Sequence, residues 1–226
     1  MSLPALSGPR LAPAKGVATQ LVVLVHGYGA DGQDLISLAA HWQGLLPGAA
    51  FAAPNAPDRV PGAPSGFQWF GLSRMDPAEL SNGVARAAPI LNAFLDSELS
   101  RLGLGPDRLA LVGFSQGTML SLAAGLSRSP AAIVGFSGLL AAAPPPTETG
   151  PPVLLAHGDQ DQVIPAGAMF AAAGELGAAG YAVQWHLAAG VGHGIDPIAL
   201  DMAGAFLKLA FDGKLGQRGP VSCLLR

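Results

Sequence analysis

Six short runs along the chain are apolar or β-branched at most positions: 20–27 "QLVVLVHG", 49–54 "AAFAAP", 108–115 "RLALVGFS", 131–138 "AAIVGFSG", 152–159 "PVLLAHGD" and 181–187 "YAVQWHL". The first, third, fourth and fifth are apolar on both alternating faces. That pattern predicts parallel strands covered by helices on both sides. Between the runs, residues 32–46, 81–103, 115–127, 166–180 and 196–211 carry apolar residues at three- and four-residue spacing. They are expected to be helices. Asp196 and Pro197 stand where an N-cap and first helical residue belong. Strand and helix therefore alternate, and the expected fold class is α/β, a doubly wound, mostly parallel sheet.

Two stretches break the alternation. Residues 54–78 are rich in proline and aromatic side chains, too long for an ordinary connection and too apolar for a linker. A loop of that kind inside a compact domain is usually functional. Residues 141–152 read as an exposed proline-rich connection. The last fifteen residues show no period.

Length changes the picture little: 226 residues suit one α/β domain, here residues 1–226 with an N-terminal arm at 1–18 and a C-terminal tail at 212–226. Half of the residues are hydrophobic and 12% are charged, enough for a core and too few for a disordered chain. The net charge of −3 comes without any basic block, which argues against nucleic acid as a partner. Cys223 is the single cysteine, so no intrachain disulfide is expected. The first sixteen residues lack an uninterrupted apolar core of the signal-peptide kind, and runs such as "LVVLV" are far too short to span a bilayer. A cytoplasmic protein without stable membrane insertion is expected. The oligomeric state, monomer or homodimer, stays open.

The chemistry centres on Gly113-Phe114-Ser115-Gln116-Gly117, at the expected junction of a strand and a helix. A serine hydroxyl attacks a carbonyl only if a base takes its proton and the turn holds it exposed. Small residues two positions either side let that strained turn close. An acid and a histidine should follow in the order Ser, Asp, His, at the ends of later strands. Asp159 and Asp161 lie after "PVLLAHG", and His193 lies in the loop "VGHGID".

Five histidines compete for the role of base. His41 reads as a solvated helix residue, His186 as a packing residue within a strand, and His26 and His157 as strand-end rings bonded to loop backbone. His193, flanked by Gly192 and Gly194, is the candidate base. Asp159 could cap its own turn, whereas Asp161 stands further out on the loop, so Asp161 is favoured as the acid. The developing oxyanion needs two backbone N–H donors. Gln116, at a helix start, is one candidate and Tyr28, in the Gly27-Tyr28-Gly29 turn, is the other. Phe67, Trp69, Phe70 and Leu72 are candidates for one wall of an acyl groove, or else for a small core beneath the loop. No metal-ligand cluster and no dinucleotide fingerprint is visible, and the chemistry needs no cofactor.

Taken together, "LVHGYGADGQDL" at 24–35, "APNAP" at 53–57, "WFGL" at 69–72, "LVGFSQGTMLSLAAG" at 111–125, "GFSGLL" at 135–140, "HGDQDQVIP" at 157–165 and "GVGHGI" at 190–195 resemble the phospholipase/carboxylesterase family of α/β-hydrolases, which includes acyl-protein thioesterases. The resemblance runs from about residue 20 to 210. It implies an α/β-hydrolase fold without a cap domain, the second aspartate of the acid loop as the triad member, and Tyr28 and Gln116 as oxyanion donors. The implied activity is hydrolysis of small or medium carboxylic esters, lysophospholipids or S-acyl thioesters through an acyl-enzyme. A lactone hydrolase resembling dienelactone hydrolase is the alternative, though such enzymes usually carry cysteine at the elbow. A non-catalytic binding protein of the same fold is the other alternative. The short, proline-rich arm before residue 20 predicts that the antiparallel edge strands of larger hydrolases are reduced or absent.

Overall fold

The computed structural model describes residues 3–215 and 222–223. An eight-stranded sheet forms the centre, in the order β1-β3-β2-β6-β7-β8-β9-β10, and a two-stranded ribbon, β4-β5, lies apart from it. The strands of the sheet are β1 (Arg10–Leu11), β2 (Gln20–Val25), β3 (Ala49–Ala52), β6 (Leu109–Phe114), β7 (Ala132–Phe136), β8 (Val153–Gly158), β9 (Val183–Ala188) and β10 (Ser222–Cys223), and the ribbon is β4 (Asp58–Arg59) with β5 (Phe67–Gln68). All six expected strands are present. Every pairing in the sheet is parallel except that of β1 with β3.

Among the described residues six helices cover it: α1 (Gly32–Ile36), α2 (Ala39–Trp42), α3 (Pro77–Leu102), α4 (Gln116–Gly125), α5 (Gly167–Ala178) and α6 (Pro197–Phe211). The alternation along β2 sorts the core into two layers. Leu21, Val23 and Val25 pack with α3, α4 and α5 on one face, while Val22 and Leu24 pack with α1, α2 and α6 on the other. Apolar residues at both parities of the strands are therefore needed, because helices shield both faces.

Two expectations are adjusted. The helix expected at 32–46 is broken into α1 and α2, with Asp31 capping α1 by accepting from the Gln33 and Asp34 N–H groups. Helix α3 begins four residues earlier than expected, because Asp76 caps it through the Glu79 N–H and Pro77 suits its first turn. The antiparallel edge is reduced to the two residues of β1, as the short arm implied. That arm is anchored by Arg10, which donates to the buried Glu98 carboxylate at 2.6 and 3.0 Å, with Arg101 on its other oxygen at 2.6 Å. The tail, without a readable period, supplies β10 beside Gln184 and Trp185. Two residues carry too little pattern for a strand to be read from sequence.

The order of the strands determines where a ligand can sit. From β2 the chain moves outward to β3, and from β6 it runs the other way through β7, β8 and β9, so the topological switch point lies between β2 and β6. Loops leaving the carboxyl ends of those two strands diverge to opposite faces and leave a crevice. Ser115 follows β6 and Tyr28 follows β2, one on each side of it.

The turn between β6 and α4 closes against β2 backbone to backbone. A Cβ on Gly117 would lie 1.9 Å from the Val25 carbonyl oxygen, and one on Gly113 would lie 2.4 Å from the Gly117 carbonyl oxygen. No side chain can move aside there. Gly117→Ala is accordingly expected to lose about 1–3 kcal/mol of stability or more through overpacking. Urea unfolding checks this, and a variant as stable as the wild type would refute the close approach.

Candidate active site

Ser115 sits at φ 54° and ψ −116°, a left-handed conformation that costs a non-glycine residue roughly 1–3 kcal/mol and survives only where its surroundings enforce it. The enforcing contacts are explicit. The Ser115 N–H donates to the Phe136 carbonyl at 2.9 Å, the Ser115 carbonyl accepts from the Thr118 N–H at 2.9 Å, and the Thr118 hydroxyl lies 2.9 and 2.8 Å from the Gly113 and Phe136 carbonyls. The serine is thus lifted out of the strand direction at the start of α4.

Asp161 follows β8 on a tight loop. Its Oδ1 accepts the Val163 and Ile164 N–H groups at 2.8 and 2.9 Å, and its Oδ2 faces His193 Nδ1 at 2.7 Å. An ionised carboxylate can only accept, so Nδ1 carries the proton and Nε2 is left as the basic nitrogen. The His193 ring packs on Phe114, the residue before the serine, with centroids 5.0 Å apart. Strand end, acid loop and histidine loop therefore meet. Asp159, the rival acid, faces elsewhere: its Oδ1 accepts the Gly190 N–H at 2.7 Å and braces the acid loop against the histidine loop.

Burial opposes the charge on Asp161. The Ile164 N–H, His193 and the Val163 N–H outweigh that opposition and hold its carboxyl below the usual aspartate range.

The turn after β2 reaches the same place. A Cβ on Gly27 would lie 3.2 Å from Ser115 Cβ, so the Gly27-Tyr28 peptide runs beside the nucleophile. Among the described residues, the backbone N–H groups of Tyr28 and Gln116 have no protein acceptor. His26 steadies the turn from beneath: Nδ1–H donates to the Gly27 carbonyl at 2.7 Å and Nε2 accepts the Ala56 N–H at 3.0 Å. Burial pushes this imidazole below the usual histidine range, against the opposing pull of the Gly27 carbonyl.

The structure divides the four aromatic and aliphatic candidates of the long loop. Trp69 and Phe70 are each 3% exposed and belong to the core, so they do not form a groove wall. The reason lies in their partners: Trp69 Nε1–H donates to the His26 carbonyl, and Phe70 packs over Gly83 of α3. Phe67 is half-buried beneath the Arg59 guanidinium, 4.2 Å from its ring centroid. Leu72 does line open space, a cleft of about 620 Å³ shared with Tyr28, Gln68, Ser73, Arg74 and Arg86. A second cavity, about 220 Å³, lies between α3, α4 and residues 140–145, where Val84, Met119, Leu122 and Leu140 supply apolar walls.

Two side-chain roles that the sequence did not mark support this arrangement. Gln116 is fully buried; its Oε1 accepts the Trp69 N–H at 2.9 Å and its Nε2 donates to the Phe70 carbonyl at 2.8 Å. The residue after the serine thereby clamps the long loop to the elbow. Ser137, at the end of β7 with φ 46°, donates from Oγ to the Gly194 carbonyl at 2.9 Å and holds the histidine loop. Side-chain-to-backbone bonds across loops leave no local pattern in a sequence.

The family model for phospholipases and carboxylesterases matches residues 7–211. The chain belongs to that family. Among the relatives of this family member, an acyl-protein thioesterase 1 of Gibberella zeae is 29% identical over 88% of the chain and 94% of its own length. Esterase YpfH of Escherichia coli is 28% identical over 82% of the chain and 81% of its own. Among solved structures, esterase PE8 superposes with a TM-score of 0.85 at 41% identity, covering 91% of the chain and 99% of that structure. A Bacillus cereus carboxylesterase shares the fold at a TM-score of 0.76 and 16% identity, over 91% of the chain and 94% of its own. Among the described residues of this family member no helix is long and apolar enough to cross a membrane.

Two outcomes test the site. Gln116→Ala keeps the backbone N–H but leaves the Trp69 N–H and Phe70 carbonyl unpaired, which should cost roughly 2–4 kcal/mol in thermal or urea unfolding. The second concerns pH. Asp161 and Glu98 both have carboxyls held below their usual range, Glu98 by Arg10 and Arg101 against the opposing effect of its burial. Each binds its proton less tightly folded than unfolded, so its stabilisation is present above the ordinary carboxylate range and is lost as pH falls through the folded value. Thermal unfolding should show the midpoint falling on acidification below about pH 4. A midpoint that rises there would refute it.

Proposed function

We propose that Ser115, His193 and Asp161 are the catalytic triad of this carboxylic ester hydrolase and that the N–H groups of Tyr28 and Gln116 form its oxyanion hole. The observation that carries the reading is the 2.7 Å Asp161–His193 pair, whose ring packs on Phe114, the residue directly before a strained serine at the switch point of the sheet.

His193 Nε2 takes the hydroxyl proton as Ser115 Oγ bonds to the substrate carbonyl carbon, and the carbonyl electrons move to oxygen. The oxyanion is met by two N–H groups already in place, one of them at the start of α4 where the helix dipole also favours negative charge. Collapse expels the alcohol or thiol, which leaves with the proton from His193, and the acyl group remains on Ser115. Water then repeats the sequence, giving its proton to His193 and releasing the acid and the free serine. Asp161 stays ionised throughout, orienting the ring and stabilising its cation.

The relatives are named as both thioesterase and esterase, so oxygen esters and S-acyl thioesters are within the proposed substrate class. Leu72 beside Tyr28 borders the open cleft, which suits small or medium acyl esters reached from solvent. A cytoplasmic location is part of the same proposal.

Hydrolysis of p-nitrophenyl esters from acetyl to palmitoyl tests the assignment. The wild type is expected to favour the short and medium chains. Ser115→Ala and His193→Gln should lose on the order of 10⁴-fold or more in kcat, and Asp161→Asn about 10⁴-fold with little change in KM. Full activity of Ser115→Ala would end the proposal, and an optimum confined to palmitoyl would end its open-site part.

A further inference from the structure

His157, the last residue but one of β8, is a second histidine beside Asp161, and the hydrolytic steps above leave it without a role. It is 2% exposed, and its ring cannot meet substrate. Its Nε2 lies 2.8 Å from the Ile164 carbonyl oxygen and 3.2 Å from Asp161 Oδ2. A carbonyl can only accept, so Nε2 carries the proton and the hydrogen bond runs from His157 to Ile164. Ile164 is the same residue whose N–H donates to Asp161 Oδ1 at 2.9 Å. One peptide neighbour therefore ties the two together: His157 holds Ile164 by its carbonyl, and Ile164 holds the carboxylate by its N–H. The positive end of the same His157 N–H dipole lies beside Oδ2, the oxygen that faces His193.

Resting on the triad proposed above, we infer that His157 is a positioning residue that acts through Asp161, an N–H donor that pins the acid loop and keeps Oδ2 directed at His193. The side chain of Asp161 is wholly buried, so water cannot replace a lost partner. Other charged or titratable groups face the region from each packed element. On the acid loop, Asp159 is engaged with Gly190; at the start of α6, Asp196 caps the helix and lies 3.8 Å from His186 Nε2; and Ser115 follows β6. Among these, His157 is the one that shares an oxygen with the Asp161–His193 pair.

Two variants of the whole protein separate positioning from packing. His157→Phe keeps an aromatic ring and removes the donor; His157→Gln removes the ring and restores an N–H donor. For His157→Phe, kcat on a p-nitrophenyl ester should fall on the order of 10- to 100-fold with KM unchanged, the scale of a small misplacement of a catalytic group. The acid limb of its kcat/KM profile should move to higher pH, because a carboxylate with one donor fewer holds the cationic form of the base more strongly. His157→Gln should recover most of kcat and return the limb. Unchanged kcat in His157→Phe overturns the inference. So does an equal fall in both variants with the acid limb fixed, since that pattern is a packing defect. A wild type inactive on every ester would instead overturn the triad reading itself.

Discussion

The first turn of α4 meets the end of β2 without any side chain between them. Gly117 lies against the Val25 and His26 carbonyls, and Gly113 lies against Gly117 itself, so β2, β6 and α4 are locked at their closest possible spacing. Everything chemical in the molecule depends on that spacing. With any Cβ at position 117, α4 would have to move away from β2, and Ser115 and the Gly27-Tyr28 peptide would part. The strain stored at Ser115 is tolerated because the sheet on one side and the Thr118 and Phe136 hydrogen bonds on the other leave no relaxed alternative.

Around that junction the molecule uses buried polar side chains to hold loops. Gln116 pins residues 69 and 70, His26 pins the turn after β2 and the backbone at Ala56, Ser137 pins Gly194, and Asp161 pins its own loop through Val163 and Ile164. The bonds at Ala56, Trp69, Phe70 and Ile164 also satisfy buried backbone groups that would otherwise be unpaired, at a cost of about 1–3 kcal/mol each. Positioning and stability thus share the same contacts. Outside the core the same device recurs in solvent, where Glu79 accepts the Ser73 hydroxyl and the N–H groups of residues 73–75 and is held down to about 2, shaping the rim of the cleft beside Leu72.

The long loop shows why a composition-based reading left two roles open. Its aromatic residues suited either a substrate groove or a small core, and Trp69 and Phe70 are core residues that fill the space between α3 and the turn after β2. Exposure could not be read from residue type, because an aromatic ring serves equally well under a loop or on its surface. The cleft that does exist is mixed in character, with Arg74 and Arg86 beside Leu72 and Tyr28.

The alternation of apolar runs with helical periods was enough to specify a doubly wound sheet, since only strands covered on both faces can be apolar at consecutive positions. The G-x-S-x-G spacing, followed by Asp161 and His193 at the ends of later strands, marked the candidate residues, because a strained turn needs small neighbours and parallel strands deliver their ends to one edge. These are local and periodic properties, and a sequence displays them. The tertiary structure alone decided that Asp161 and not Asp159 faces His193, that Gln116 acts through its side chain as well as its backbone, that Trp69 and Phe70 are inside, and that His157 touches the acid. Most of those facts depend on groups 31 to 47 residues apart meeting within about 3 Å, and such contacts arise only when the strands and their loops have come together.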